Sequence, residues 1–301
     1  MFGLALEGGG TLGAAHLGVL RALLEAGLTP GAVGGTSAGS MIAAAYAWRA
    51  RLSDAEELYQ DVMQVGPKML DLNVVGIIRL VMHWIVRREL NYLGVFKGNR
   101  LEKMMNEHLE GALLAEARLP LVIPTVDLLS GELVLYTSRI PRDKGLDHWE
   151  RDASIAQAVR ASTSVPIVFV PKLTESGMLV DGGMIQNLPV TSVQQLGESR
   201  VLGVSLHVKG EDTHNPTNVI DVARSMISAI EKQLERRQRQ EATYLLEIVL
   251  PEGSGMFSFD RMDEFVDIGY EAARKALPDI KSSFSRFAPA MTRQVSVLSS
   301  R

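Results

Sequence analysis

Gly35-Thr36-Ser37-Ala38-Gly39-Ser40 decides how this chain is read. Short apolar residues lead into it from Pro30, and Met41 to Trp48 lead out as a predicted helix. A Gly-x-Ser-x-Gly run between a strand and a helix is the signature of a nucleophile elbow. The turn is tight, so only small neighbours leave a serine hydroxyl standing clear at the helix N-terminus. Free N–H groups and the positive end of the helix dipole favour negative charge developing there. The same residues also fit a plain glycine turn with a serine N-cap, so the surroundings must separate the two readings.

Upstream, Phe2 to Leu6 reads as a short apolar strand that ends at Glu7-Gly8-Gly9-Gly10-Thr11-Leu12-Gly13. Leu17, Leu20 and Leu24 then recur at helical spacing until Gly27 stops the run. The order is strand, glycine loop, helix, strand, elbow, helix, which predicts a βαβ unit with parallel strands. Gly8, Gly10 and Gly13 also match the G-x-G-x-x-G of dinucleotide sites. The end of the second strand, where a ribose-binding acid belongs, carries Gly34-Gly35-Thr36-Ser37 instead. The glycines read better as a source of backbone N–H donors, because adjacent parallel strands end on the same sheet edge as Ser37.

With 301 residues, 46% apolar and 22% charged, the chain can bury a large α/β core. It shows no internal repeat and no clear linker, so one domain is expected. A net charge of -4 offers no electrostatic argument for nucleic acid as a partner. The absence of cysteine excludes disulfides, zinc–thiolate sites and thiol nucleophiles, and permits a reducing compartment. No basic segment precedes the first apolar run, so the N-terminus reads as a strand and not a secretion signal. No uncharged apolar run reaches about 18 residues, the length of a membrane span. A cytoplasmic setting is expected.

Residues 53–110 read as mostly helical. Within them Val74 to Val86 is apolar but carries Arg79 and His83, and six basic residues face two acids between Arg79 and Lys103. Two readings stand: a core-packing helix with a solvated basic face, or a lid or peripheral membrane contact through 74–103. Leu121 to Asp127 and Glu132 to Thr137 predict a hairpin around Ser130-Gly131, and a helix follows near Ser154 to Arg160. Ala161-Ser162-Thr163-Ser164-Val165-Pro166 leads into a strand over Ile167 to Val170. Met178 to Val180 is a short strand delivering Asp181-Gly182-Gly183, a pattern that alone fits a turn aspartate. Val201 to Val208 and Leu245 to Leu250 read as buried strands, the second as the last one. The interleaved charges of Val219 to Gln240 suit a solvated helix. Phe265 to Leu277 is a predicted helix. After Asp279 the chain is basic and Ser-rich, so 281–301 is expected to be a loosely ordered tail behind a domain of residues 1–280.

A neutral serine needs a positioned base. The order Ser37, Asp181, then His207 or His214 formally satisfies an α/β-hydrolase triad. In that fold several strands precede the elbow, whereas Ser37 follows only one strand before its own. His207 falls in an apolar strand and His214 in a polar loop. His16, His83, His108 and His148 precede Asp181 without a supporting motif. The alternative is a dyad in which Asp181 takes the proton directly, its basicity raised by burial. It predicts Ser37 Oγ within hydrogen-bond reach of Asp181, with no imidazole between them.

Taken together and in order, Gly8 to Gly13, Gly35 to Ser40, Ala161 to Pro166, and Asp181-Gly182-Gly183 with Asn187 and Pro189 resemble the patatin-like phospholipase family over about residues 2–280. The resemblance implies a three-layer α/β/α fold with a mostly parallel central sheet. It implies a serine acyl hydrolase of lipid esters, of phospholipase A, lysophospholipase or esterase type, working without metal or other cofactor. Carried over by position, Ser37 is the nucleophile and Asp181 the base. Gly8, Gly9 and Gly10 form the oxyanion hole, and Gly35, Gly39, Gly182 and Gly183 support the two turns. The implied partner is a lipid or acyl-ester substrate; nothing in the sequence bears on oligomeric state. Leu12 stands where many members carry Arg or Lys, which removes a cation from the loop and leaves its backbone donors. A weakly active regulatory or membrane-adaptor protein keeping this fold is the alternative.

Overall fold

Two faces of one sheet are already separated by the alternation of its strands. In the computed structural model, which describes residues 1–76, 78, 94–145, 147–210, 229–230, 233–285 and 293–297, strand β1 (Gly3–Leu6) turns Leu4 and Leu6 into one core and Ala5 into another. The same split recurs in β4 (Leu121–Asp127), with Leu121 and Ile123 on one face and Val122 on the other. It recurs in β10 (Val201–Val208) and β11 (Tyr244–Leu250), where Leu202, Val204, Leu246 and Ile248 oppose Val201 and Leu245. Successive strand residues face opposite ways, so a sheet apolar on both sides must be covered on both. The larger core is closed by α1 (Ala14–Glu25), α2 (Ala38–Arg49), α3 (Leu52–Val65) and the helix Met262–Phe284. The smaller one is closed by the helix Val190–Gln195 and Ala242. This is the three-layer α/β/α fold.

The sheet order is β12-β11-β10-β1-β2-β4-β5-β6, with β2 at Ala32–Gly35, β5 at Leu133–Thr137, β6 at His148–Glu150 and β12 at Arg293–Val297. From β12 to β4 every pairing is parallel; β4–β5 is the expected antiparallel hairpin. The chain steps from β1 to β2 on one side, while β10 arrives on the other. Open α/β sheets bind ligands beyond the carboxyl ends of strands at such a switch point.

One feature of the register positions the site. Strand β2 pairs with the start of β4 (Gly34 opposite Val122), and β9 (Gly177–Asp181) pairs with its end, antiparallel, with Asp181 opposite Thr125. The two strands share one edge of β4 and run toward each other. Their carboxyl ends therefore meet, which brings the chain leaving β2 against the chain leaving β9.

The structure departs from expectation at several points. Residues 53–110 include a strand, β3 (Gly94–Phe96), paired with β7 (Ile167–Phe169) in a separate two-stranded sheet. Leu245 to Leu250 is not the last strand: β12 adds in parallel to β11, and the helix expected to end at Leu277 runs on to Phe284. The serine and basic content of the terminus hid a valine alternation that suits an edge strand. Much of Val74 to Val86, and so the lid or membrane reading of 74–103, lies outside the described residues, as do His83, His214 and most of Val219 to Gln240. Among the described residues no helix is long and apolar enough to cross a membrane.

Candidate active site

Ser37 closes β2 and caps α2 with φ 52° and ψ −122°. A residue with a side chain is rarely held there, at a cost of about 1–3 kcal/mol, and only neighbours that over-determine the turn keep it. Its N–H donates to Ser162 Oγ at 3.0 Å, and Ser162 Oγ donates on to Pro124 O at 2.7 Å. Its C=O accepts from Ser40 Oγ at 2.5 Å and from Ser40 N at 3.0 Å. The elbow glycines are steric necessities. A Cβ on Gly35 would stand 2.2 Å from Gly39 O, and one on Gly39 would stand 2.5 Å from Leu6 O.

The glycine loop follows β1 on the neighbouring strand end. Gly10 has φ 62°, and Thr11 anchors the far side of the loop through its N–H to Met256 O (3.1 Å) and its Oγ1 to Gly255 O (2.9 Å). Of the three amides expected to be available, Gly8 is already engaged: its N–H donates to Asn187 Oδ1 at 3.2 Å. Among the described residues no acceptor takes the N–H groups of Gly9 and Gly10.

Asp181 ends β9, its N–H donating to Ser164 O at 3.0 Å. Gly182 and Gly183 turn the chain so that the Gly183 N–H donates to Asp181 Oδ1 at 2.7 Å, while the Gly182 carbonyl accepts the Gln186 N–H at 2.7 Å. Oδ2 is buried with no hydrogen-bond partner. Burial pushes the Asp181 carboxyl up to about 6, against the smaller opposing pulls of the Gly183 amide and the Ser37 side chain. The hydroxyl is thus close enough to weigh on the carboxylate, but the expected serine–aspartate hydrogen bond is not closed. A serine hydroxyl swings freely about one bond, and such contacts tighten when substrate fills a site.

The histidines fall elsewhere. Among the described residues none hydrogen-bonds to Ser37 or Asp181. His16 is fully buried, its Nε2 at 2.7 Å from Glu7 O, and burial drives it down to about 4, so it is neutral. His108 contacts Asp61 and Asp54 O, and His207 is exposed.

Two cavities meet at Ser37. One, of about 850 Å³, is lined by Glu7, Gly8 to Gly10, Ser37, Asp181, Asn187, Glu235, Arg236 and Arg239 among others. The other, of about 120 Å³, is walled by Met41, Ile42, Leu58, Val62, Phe169 and Met262 with further apolar side chains. The first mixes charged and apolar walls, the second is greasy and narrow. Among the described residues no group of acids and histidines could hold a metal ion. Sequence reading overlooked Glu7, although it abuts the glycines, and the part Ser162 takes in the elbow. It also overlooked Glu235 and Arg239, whose placement leaves no local signal.

A family model described as patatin-like phospholipase matches residues 4–193 of this chain. An uncharacterized NTE family protein of Mycobacterium tuberculosis is 24% identical over 308 residues, covering 92% of this chain and 47% of its own length. Lysophospholipase NTE1 of Mycosarcoma maydis is 24% identical over 91% of this chain and 14% of its own length. The chain therefore spans less than half the length of these relatives. Among solved structures, VipD from Legionella pneumophila superposes with a TM-score of 0.52 at 19% identity, over 92% of this chain and 67% of VipD, a likeness of fold. The glycine loop, the elbow and the aspartate turn all lie inside the matched residues, and the chain belongs to the patatin-like phospholipase family.

Proposed function

We propose that the protein is a serine-dependent hydrolase of lipid acyl esters in which Ser37 and Asp181 act as a dyad. The observation that carries this is the meeting of β2 and β9 along β4, which puts a strained serine, a buried carboxyl and two unengaged amides in one cavity. The relatives named as lysophospholipases favour a phospholipid or lysophospholipid among the esters. The two cavities suit a substrate with an acyl chain on one side of the carbonyl and a polar group on the other.

In this reading the Ser37 Oγ attacks the ester carbonyl carbon while its proton passes to Asp181 Oδ2. The Gly9 and Gly10 N–H groups hold the resulting oxyanion, each donor worth about 3–4 kcal/mol at the transition state. Collapse breaks the ester C–O bond, and Asp181 returns the proton to the departing alkoxide. Water then attacks the acyl-enzyme, gives a proton to Asp181, and the second tetrahedral species releases the acid and restores the Ser37 hydroxyl. An aspartate with a value near 6 is charged at neutral pH and still basic enough to take part.

The test is fluorophosphonate labelling, read by peptide mass spectrometry, together with hydrolysis of p-nitrophenyl esters and lysophosphatidylcholine by wild type, Ser37→Ala and Asp181→Asn. Label on Ser37 and loss of turnover in both variants is the expected result. A folded wild type that takes no label and cleaves no ester would overturn the proposal.

A further inference from the structure

The larger cavity contains a buried acid that the hydrolytic steps above do not use. Glu7 is 2% exposed, between β1 and the glycine loop. Its Oε2 accepts the Leu206 N–H at 2.6 Å and its Oε1 accepts Asn187 Nδ2 at 3.0 Å. Asn187 in turn accepts the Gly8 N–H on Oδ1 at 3.2 Å and on its backbone carbonyl at 3.3 Å. The side chain of residue 7 therefore reaches residue 187, which reaches back to residue 8. That closed triangle fixes the peptide immediately before Gly9 and Gly10. It also fastens the loop to the segment that follows Asp181.

Leu206 and Asn187 both reach the Glu7 oxygens with N–H donors, and the Glu235 side chain also hydrogen-bonds to the Glu7 carboxyl. A carboxyl group accepts from both N–H donors; a glutamine would have to turn its own NH₂ toward one of them. The charged groups around Glu7 are few. Glu235 and Arg239 face it from the helix at 233–241, and Arg239 is also paired with Glu235 and, at 2.8 Å, with Glu247. From α1 the neutral His16 touches only its carbonyl. Asp181, Arg236 and His207 line the same cavity. Burial, then Glu235, hold the Glu7 carboxyl well above the usual range, with Arg239 opposing.

We propose that Glu7 is a positioning residue: through Asn187 it holds the Gly8 peptide so that the Gly9 and Gly10 N–H groups stay directed at the reacting carbonyl beside Ser37. The inference rests on the hydrolase reading for its kinetic consequence, but not for its structural one. Glu7→Gln keeps the size and breaks one of the two acceptor contacts. Asn187→Leu removes the side-chain arm of the tether, leaving the Gly8 N–H only the backbone carbonyl of residue 187, and leaves Glu7 beside Glu235. Both are compared with wild type by hydrogen exchange of peptides covering 8–13. They are also compared by kcat and KM on p-nitrophenyl butyrate, per site titrated with fluorophosphonate.

The expected result is exchange at 8–13 faster by about tenfold, with the central strands unchanged. The per-site kcat falls about tenfold or more while KM stays within about twofold. A merely structural role would lower the fraction of titratable sites and leave the per-site kcat intact, which overturns the proposal. Unchanged exchange in Asn187→Leu also overturns it, including when Glu7→Gln does not fold. A wild type that hydrolyses nothing, in a protein whose loop loosens as expected, sinks the hydrolase reading and leaves the tether standing.

Discussion

The carboxyl of Asp181 should be readable twice, once in activity and once in stability, with opposite signs. Its value of about 6 in the folded chain compares with about 3.9 for an unstructured aspartate. That difference of roughly two decades corresponds to about 3 kcal/mol, at about 1.4 kcal/mol per decade. The folded form holds the proton more tightly, so folding takes up a proton between about pH 4 and 6. Stability therefore falls as pH rises through that window, and above about 6 the loss is complete. About 1.4 kcal/mol of it falls between about pH 5 and 7. The proposed dyad needs the ionised form, so kcat/KM should climb over the same range, from about a tenth of its plateau at pH 5 to half near 6. Asp181→Asn abolishes both dependences. The assay is urea unfolding of wild type and variant at several pH values, beside the wild-type pH–rate profile. The stability difference between the two proteins should shift in the variant's favour by about 1.4 kcal/mol from pH 5 to 7. Any constant cost of placing an amide on the unpartnered Oδ2 side cancels from that shift. An activity limb centred near 4, or a stability difference that does not move with pH, would refute the assignment of Asp181 as a desolvated base.

Other outcomes follow from named contacts. Ser162→Ala leaves the Ser37 N–H and Pro124 O without their buried partner and should cost about 1–3 kcal/mol by urea unfolding, with a lower kcat as the elbow relaxes. Gly39→Ala forces a methyl to 2.5 Å from Leu6 O and should destabilise by about 3 kcal/mol, visible as a drop in Tm, and abolish fluorophosphonate labelling. Met41→Trp adds bulk to the wall of the narrow apolar cavity. Its kcat/KM should fall about tenfold more for long-chain than for butyryl p-nitrophenyl esters.

The order of strand, glycine loop, helix, strand, elbow and helix was legible because each part rests on neighbours in sequence. Leu4 and Leu6 alternate with Ala5, Leu17, Leu20 and Leu24 repeat at helical spacing, and a serine between glycines permits one kind of turn. The same locality explains the misjudged terminus: composition outweighed alternation in Arg293 to Val297, and nothing nearby told that β11 had an open edge.

The candidate pair, Ser37 and Asp181, was thus named by the chain alone: Ser37 by the local elbow pattern, and Asp181 through the resemblance carried by the four motifs in order, since its own turn fits a plain Asx turn equally well. Only the folded molecule decided how they meet, because β2 and β9 share an edge of β4 through pairings of residues distant in sequence, which leave no periodic trace. It likewise decided that Gly8 is engaged by Asn187, 179 positions away, and that Glu7 lies against Glu235. The basicity of Asp181 is also a tertiary property: desolvation depends on everything packed around a group, and that packing exists only once the sheet has closed over it.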